Sequence, residues 1–261
     1  MDSVNKTLYI PLRGKAFVSR KGLFLLDETA ERIWQEEGFD LKGKSKSKWL
    51  AYYMGIRSAV FDRWLTGKME ENPGAAVLHI GCGLDSRVLR VGTRGHKWYD
   101  LDFPEVIRER QRYFSETDDY RMIAADVREN AWPDSIAEST AAIVVMEGVS
   151  MYLTGEERSA LLALLAGRFE KVWLLMDCYS TMAAKLSRYK NPINDVGVTE
   201  VFGMDDPHCL EAGDFFFVKE HDMTPEAYIH QLQGMQRRIF RRLYAGNFAK
   251  KLYRLFEYRK G

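Results

Sequence analysis

The 261-residue sequence predicts an α/β fold, a mostly parallel sheet covered by helices on both faces. Apolar runs of strand length recur from residue 75 onward, and helical patterns separate several of them. Several runs are continuous rather than alternating, as in strands buried on both faces. The first ends in a glycine turn, VLHIGCGLDSR (77–87), and WYDLDF (98–103) ends in an acid about 20 residues later, the spacing of a nucleotide site.

Taken in order, TAERIWQEE (29–37) is a short helix capped by Asp27 or Thr29. LKGKSKSKW (41–49) is a lysine-rich turn expected in solvent. KWLAYYMGIRSAVFDRWLT (48–66) carries Leu50, Tyr53, Ile56, Val60, Phe61 and Trp64 at helical spacing, and Asn72-Pro73-Gly74 breaks the chain after it. AAVLHI (75–80) and KWYDLDF (97–103) are the first two strands. Pro104 and Glu105 suit the first turn of the helix PEVIRERQRYF (104–114). RMIAAD (121–126), AAIVVMEG (141–148) and KVWLLMDCYS (171–180) are further strands. Between the last two, Thr154 and Glu157 make a capping box for a leucine-rich helix. DFFFVKEHDM (214–223) is a late strand. The tail from Pro225 reads as basic helices, with Phe240, Tyr244, Phe248, Leu252 and Phe256 recurring every four residues. The expected organisation is an N-terminal helical cap (1–72), an α/β core (73–224) with a lid insertion near 180–212, and amphipathic helices (225–261).

Composition excludes several classes. Lys plus Arg (38) balances Asp plus Glu (37), which argues against a dedicated nucleic-acid binder. Cys82, Cys178 and Cys209 form no CxxC pair, so neither zinc nor a redox dithiol is implied. An odd cysteine count and a start without a signal peptide fit the reducing cytoplasm. No apolar run reaches the ~18 residues of a membrane span.

The glycine turn defines the candidate site. Gly81 and Gly83, with Cys82 between them, let backbone approach a ligand closely. Asp85 follows where a phosphate would want bare amides, so the ligand expected here is a nucleoside carrying positive charge. S-adenosylmethionine fits that description better than NAD, and Ser86 stands where a dinucleotide fingerprint has its third glycine. Asp102 is placed to accept hydrogen bonds from both ribose hydroxyls. Asp100 points to the same side but lies further from the strand end. Asp126 is within reach of an adenine amino group, and Glu147 lies at the pocket floor.

GCGLDSRVLRV, WYDLDFPEVIRER, AADV and MEGVSMYL, in this order and spacing, resemble the successive motifs of the leucine carboxyl methyltransferase family. The resemblance spans roughly residues 15–223 and is nearest to the bacterial branch related to tetracenomycin-type polyketide O-methyltransferases. It implies a class I methyltransferase fold: a Rossmann-like, seven-stranded sheet with its last strand antiparallel. It also implies S-adenosylmethionine as methyl donor, S-adenosylhomocysteine as product, and no metal. In such enzymes the turn at Gly81 and Gly83 faces the methionine part and Asp102 takes the ribose. Asp126 and Val127 lie by the adenine, and Glu147 lies beside the methionine end. Arg57 matches the family's arginine near the carboxylate of cofactor or substrate, and Lys15 stands for a second basic residue there. Ser86 replaces the usual threonine.

The expected reaction is O-methylation of a carboxylate or hydroxyl on a small molecule. A carboxylate needs no base; a phenol, with a pKa near ~10, gains from one. Candidates for that base are His208, His221 and Tyr152, and Arg57 is a candidate to orient a substrate carboxylate. Alternatives are carboxyl methylation of a protein C-terminus, a nicotinamide oxidoreductase, and a non-catalytic S-adenosylmethionine-binding protein. The tail offers a docked helix, a homodimer interface, an acidic membrane surface or RNA. The acceptor pocket is expected to draw on the N-terminal helices and residues 189–209.

Overall fold

The continuous apolar runs are buried strands. β1 (Ala76–Ile80) and β2 (Trp98–Asp102) are buried throughout, and β4 (Ala141–Met146) and β5 (Lys171–Tyr179) nearly so. A computed structural model describes residues 8–38, 41, 43–190, 200–211 and 214–261, with backbone alone for 188–190. The other strands are β3 (Tyr120–Ala124), β6 (Phe215–His221) and β7 (Tyr253–Lys260). Their order is β3-β2-β1-β4-β5-β7-β6. β1 to β5 run parallel, and β7 lies antiparallel between β5 and β6. The expected seven-stranded sheet with an antiparallel last strand is therefore present.

Side chains alternate between two core layers, as strand geometry requires. Val77, Trp98, Ile143 and Leu175 pack with α1 (Tyr9–Ser19), α2 (Glu28–Glu37) and α3 (Lys48–Glu71). Leu78, Leu101, Val144 and Leu174 pack with Leu161, Leu162 and Leu165 of α6 (Gly155–Arg168). The shorter helices on the strand connections are α4 (Arg87–Val91), α5 (Pro104–Arg110) and α7 (Thr181–Lys190). Then come α8 (Glu226–Ile229), α9 (Gly234–Tyr244) and α10 (Asn247–Leu252). β1 is flanked by β2 and β4, so the strand order reverses beside it. Ligands in such sheets bind at that crevice, outside the strands' carboxyl ends.

Local signals worked where they were chemical. Thr154 and Glu157 form the reciprocal capping box. Asp27, not Thr29, caps α2 by accepting from Ala30 N at 2.8 Å. α3 runs on to Glu71, five residues beyond the expected segment. The lysine-rich turn is tied down from outside, because Arg13 donates to the carbonyls of Ser45, Lys46 and Ser47.

The helical reading of the tail fails at 253–260. Those residues are β7, which pairs with β5 from Val172↔Lys260 to Tyr179↔Tyr253. The four-residue period also fails: Phe248 is 63% exposed while Phe256 is fully buried. Leu255 and Phe256 serve opposite core layers, a strand's alternation. Tertiary pairing with two strands outweighs a short-range pattern here.

Candidate functional site

α1 and α3 pack closely because glycine allows it. A Cβ on Gly55 would sit 2.6 Å from Val18 Cγ2, and one on Gly14 would sit 2.5 Å from Met54 Cβ. This contact carries Lys15 and Arg57 over the carboxyl ends of β1 and β4.

The glycine turn is pinned to β2. Gly81 N donates to Leu101 O at 2.7 Å, and Gly83 N donates to Asp102 Oδ2 at 2.8 Å. Gly81 has φ +67, and a Cβ there would meet Val149 Cγ2 at 2.1 Å, so both backbone and space demand glycine. Asp102 Oδ1 accepts from Phe103 N at 2.8 Å. Each carboxylate oxygen therefore keeps one lone pair for a ligand. Burial pushes the Asp102 carboxyl up to about 6, against the two backbone N–H groups and Arg110. Asp100, two residues earlier, is fully buried among Arg110, His79, Trp98 and Tyr120 and is part of the framework.

The cleft has two lobes. One, about 140 Å³, is lined by Lys15, Arg57, Cys82, Gly83, Asp85 and Glu147, among others. The other, about 230 Å³, is lined by Asp102, Phe103, Asp126, Val127 and Arg128, among others. Leu8, Gly81, Gly148 and Tyr152 line both, so the lobes adjoin. Every residue expected at the cofactor thus lies on this cleft. Asp126 faces it partly, its carboxylate held by Arg128 Nε at 2.9 and 3.0 Å.

The first lobe sits on a buried ionic network. Asp85 meets Lys15 at 3.3 Å, Arg87 at 3.3 Å and Arg90 at 2.7 Å. Glu147 accepts from Arg57 Nε and Ser58 Oγ, each at 2.9 Å, and from Arg87. Burial alone would raise the Glu147 carboxyl; Arg57 and Arg87 outweigh it and hold it well below the usual range. Asp85, expected beside a cationic ligand, lines the cavity and is also met by three cations of the chain itself, which come from α1 and α4 and whose convergence is not legible in the local sequence.

Arg57 bridges Glu147 to two residues that sequence reasoning missed. Its Nη1 lies 3.3 Å from Asp177 Oδ2 and donates to Tyr253 Oη at 2.7 Å. Asp177 also accepts from Gly148 N at 2.7 Å and from the Tyr253 hydroxyl at 2.5 Å. Burial pushes the Asp177 carboxyl up to about 6 despite Arg57. An acid near the end of the apolar run KVWLLMDCYS was a readable signal. Tyr253 gave none, since its segment read as helix. Nη2 of Arg57 has no acceptor among the described residues, and Arg57 borders the cavity.

Leu50, Met54, Met151, Tyr179 and Tyr253 make an apolar and aromatic wall in the same lobe. Tyr152 is a wall residue. His208 is exposed, 2.9 Å from Glu211 Oε1, and borders neither lobe. His221 bonds Glu257 at 2.6 Å away from the cleft. The structure therefore does not bring either histidine to the site. Of the expected acceptor segment, 191–199 lies outside the described residues. Among the described residues no group of three or more His, Cys, Asp or Glu is arranged to hold a metal ion.

A sheet of this order, with a glycine turn after β1 and an acid ending β2, defines a class I S-adenosylmethionine-dependent methyltransferase. Solved structures agree at the level of fold. Magnesium protoporphyrin IX methyltransferase from Synechocystis PCC 6803, with bound S-adenosylhomocysteine, aligns with a TM-score of 0.52 at 14% identity, covering 88% of this chain and 93% of that one. A DUF574 family protein from Streptomyces avermitilis aligns with a TM-score of 0.57 at 11% identity, covering 89% of each chain. The leucine carboxyl methyltransferase family model matches residues 12–166, and the chain belongs to that family. The tetracenomycin polyketide synthesis O-methyltransferase TcmP of Streptomyces glaucescens is 28% identical over 214 residues, 81% of this chain and 79% of that protein. The S-adenosyl-L-methionine-dependent methyltransferase dpfgK of Gibberella zeae is 28% identical over 183 residues, 64% of this chain and 61% of that protein.

Proposed function

We propose that the protein methylates an oxygen of a small organic acceptor, with a carboxylate the favoured nucleophile. The observation that carries this reading is the first lobe itself. It sets an apolar, tyrosine-rich wall against an arginine edge and, among the described residues, holds no disengaged base. His79 is its histidine, and it is enclosed between Arg87 at 3.0 Å and Asp100 at 3.2 Å. Burial and Arg87 lower its pKa, and its Nε2 is occupied by the Arg87 guanidinium. A carboxylate acceptor is ionised without help. The name of the Streptomyces glaucescens relative, a polyketide O-methyltransferase, supports a small-molecule acceptor.

The residues suit the cofactor. The free lone pairs of Asp102 take two ribose hydroxyls. Val127 and Phe103 flank the adenine, with Asp126 beside its amino group. The Nη2 edge of Arg57, helped by Lys15, takes the amino-acid carboxylate. Bound there, S-adenosylmethionine supplies a methyl group on a positively charged sulfur. The chain's contribution is alignment and exclusion of water, and good alignment is worth about 7–11 kcal/mol.

The test is calorimetric titration with S-adenosylmethionine, S-adenosylhomocysteine and NAD, repeated with Asp102→Ala. A panel of aromatic carboxylic acids and phenols then follows, with S-adenosylhomocysteine release as readout. Adenosyl binding lost in the variant, with turnover of carboxylic acids, is expected. Turnover of phenols alone would overturn the carboxylate reading. Cofactor binding without turnover of any acceptor would favour a binding protein.

A further inference from the structure

We propose that the outward face of α9 and α10 docks the protein on an anionic lipid surface. The charge of the chain is unevenly placed. Residues 227–256 hold seven Lys and Arg and no Asp or Glu, while the remaining residues hold 31 basic against 37 acidic side chains. Four of the seven cations are engaged at home. Arg237 donates to the carbonyls of His230 and Leu232; Arg241 pairs with Glu226, Lys250 with Asp222 and Arg254 with Glu220. Arg238, Arg242 and Lys251 are exposed and have no acceptor among the described residues.

Large exposed apolar side chains lie on the same two helices as these three cations. Met235 is 68% exposed, Leu243 51% and Phe248 63%. The opposite side of α9 is anchored. Phe240 is fully buried, stacks on Tyr244 at 5.3 Å and meets Tyr52 edge-on at 6.4 Å. With that side fixed, Met235, Arg238 and Arg242 form one outward stripe at helical spacing. A helix whose outward side carries both cations and greasy side chains suits the headgroup boundary of a bilayer. There, arginines meet phosphates and apolar groups enter the acyl layer. A nucleic-acid backbone would satisfy the cations but leave Met235 and Leu243 in water. The acidic remainder is repelled by the same surface, which orients the molecule with this face down. No helix among the described residues is long and apolar enough to cross a membrane, so the contact is superficial.

The test is co-sedimentation of the full chain with vesicles of phosphatidylcholine alone and of phosphatidylcholine with phosphatidylglycerol, at low and high salt. Binding is expected only with the anionic vesicles, and weaker at high salt. The double variant R238Q/R242Q should bind about thirtyfold more weakly, from roughly fivefold per cation. Phe248→Ser should lose about tenfold at either salt. Both variants should keep their circular dichroism and S-adenosylhomocysteine affinity. Three results would overturn the proposal: equal binding to neutral vesicles, no loss in R238Q/R242Q, or retention on heparin or RNA without vesicle binding.

Discussion

Replacing Glu147 by Gln tests whether the first lobe is built by electrostatics. Glu147 is buried and holds Arg57 at 2.9 Å, Ser58 at 2.9 Å and Arg87 more closely still. The network around it contains Lys15, Arg57, Arg87 and Arg90 against Asp27, Asp62, Asp85, Glu147 and Asp177. Gln is nearly isosteric, so packing changes little. It removes one anion from between two guanidinium groups and turns an amide N–H toward one of them. Breaking a buried pair by neutralising one member costs about 3–5 kcal/mol. For a chain of this size, each 1 kcal/mol lowers Tm by about 2–4 °C, so a fall of roughly 6–20 °C is expected. The sign with pH follows from the depressed pKa. Glu147 is stabilising above its unfolded value near 4.5 and loses that role only as pH falls through its lower folded value. The loss in Glu147→Gln should therefore be alike at pH 8 and pH 6. Thermal melts followed by circular dichroism, without ligand, measure it. A Tm within 2 °C of the parent at both values would refute the reasoning.

Other outcomes follow from the same geometry. Asp102, raised to about 6, is the reverse case: its folded-state preference for the neutral form stabilises below about 4 and is lost as pH rises through 6. With Asp102 holding the ribose hydroxyls as proposed above, the ionised form is the better acceptor, and S-adenosylhomocysteine affinity should climb about tenfold between pH 5 and pH 7.5. Calorimetry of the parent measures this rise. Gly81→Ala should abolish cofactor binding and lower stability, since its Cβ would lie 2.1 Å from Val149 Cγ2 at φ +67. Adding Val149→Ala should restore only part of the stability in melts, because the backbone strain remains. His208→Ala should leave kcat and KM within twofold in a methyl-transfer assay, as it pairs with Glu211 outside the cleft. A tenfold loss of kcat would place it in the reaction.

The sequence by itself determined the strands from β1 to β6, the capping box, the glycine turn and the acid at the end of β2. Those signals are local. A buried strand reads as an apolar run, and a turn with positive φ reads as glycine. Motif order and spacing also pointed to Lys15, Arg57, Gly81, Asp102 and Glu147 among the residues that line the cleft, but not to Phe103 or Arg128. Tertiary structure alone decided the rest. That Asp100 serves the framework depended on Arg110 and Tyr120 closing over it. That Asp85 is met by three cations of the chain depended on two helices converging on it. Whether 253–260 coils or extends depended on the open edges of β5 and β6, far away in sequence. Each is a contact between distant segments, where pairing free energy outweighs local preference. No window along the chain contains both partners.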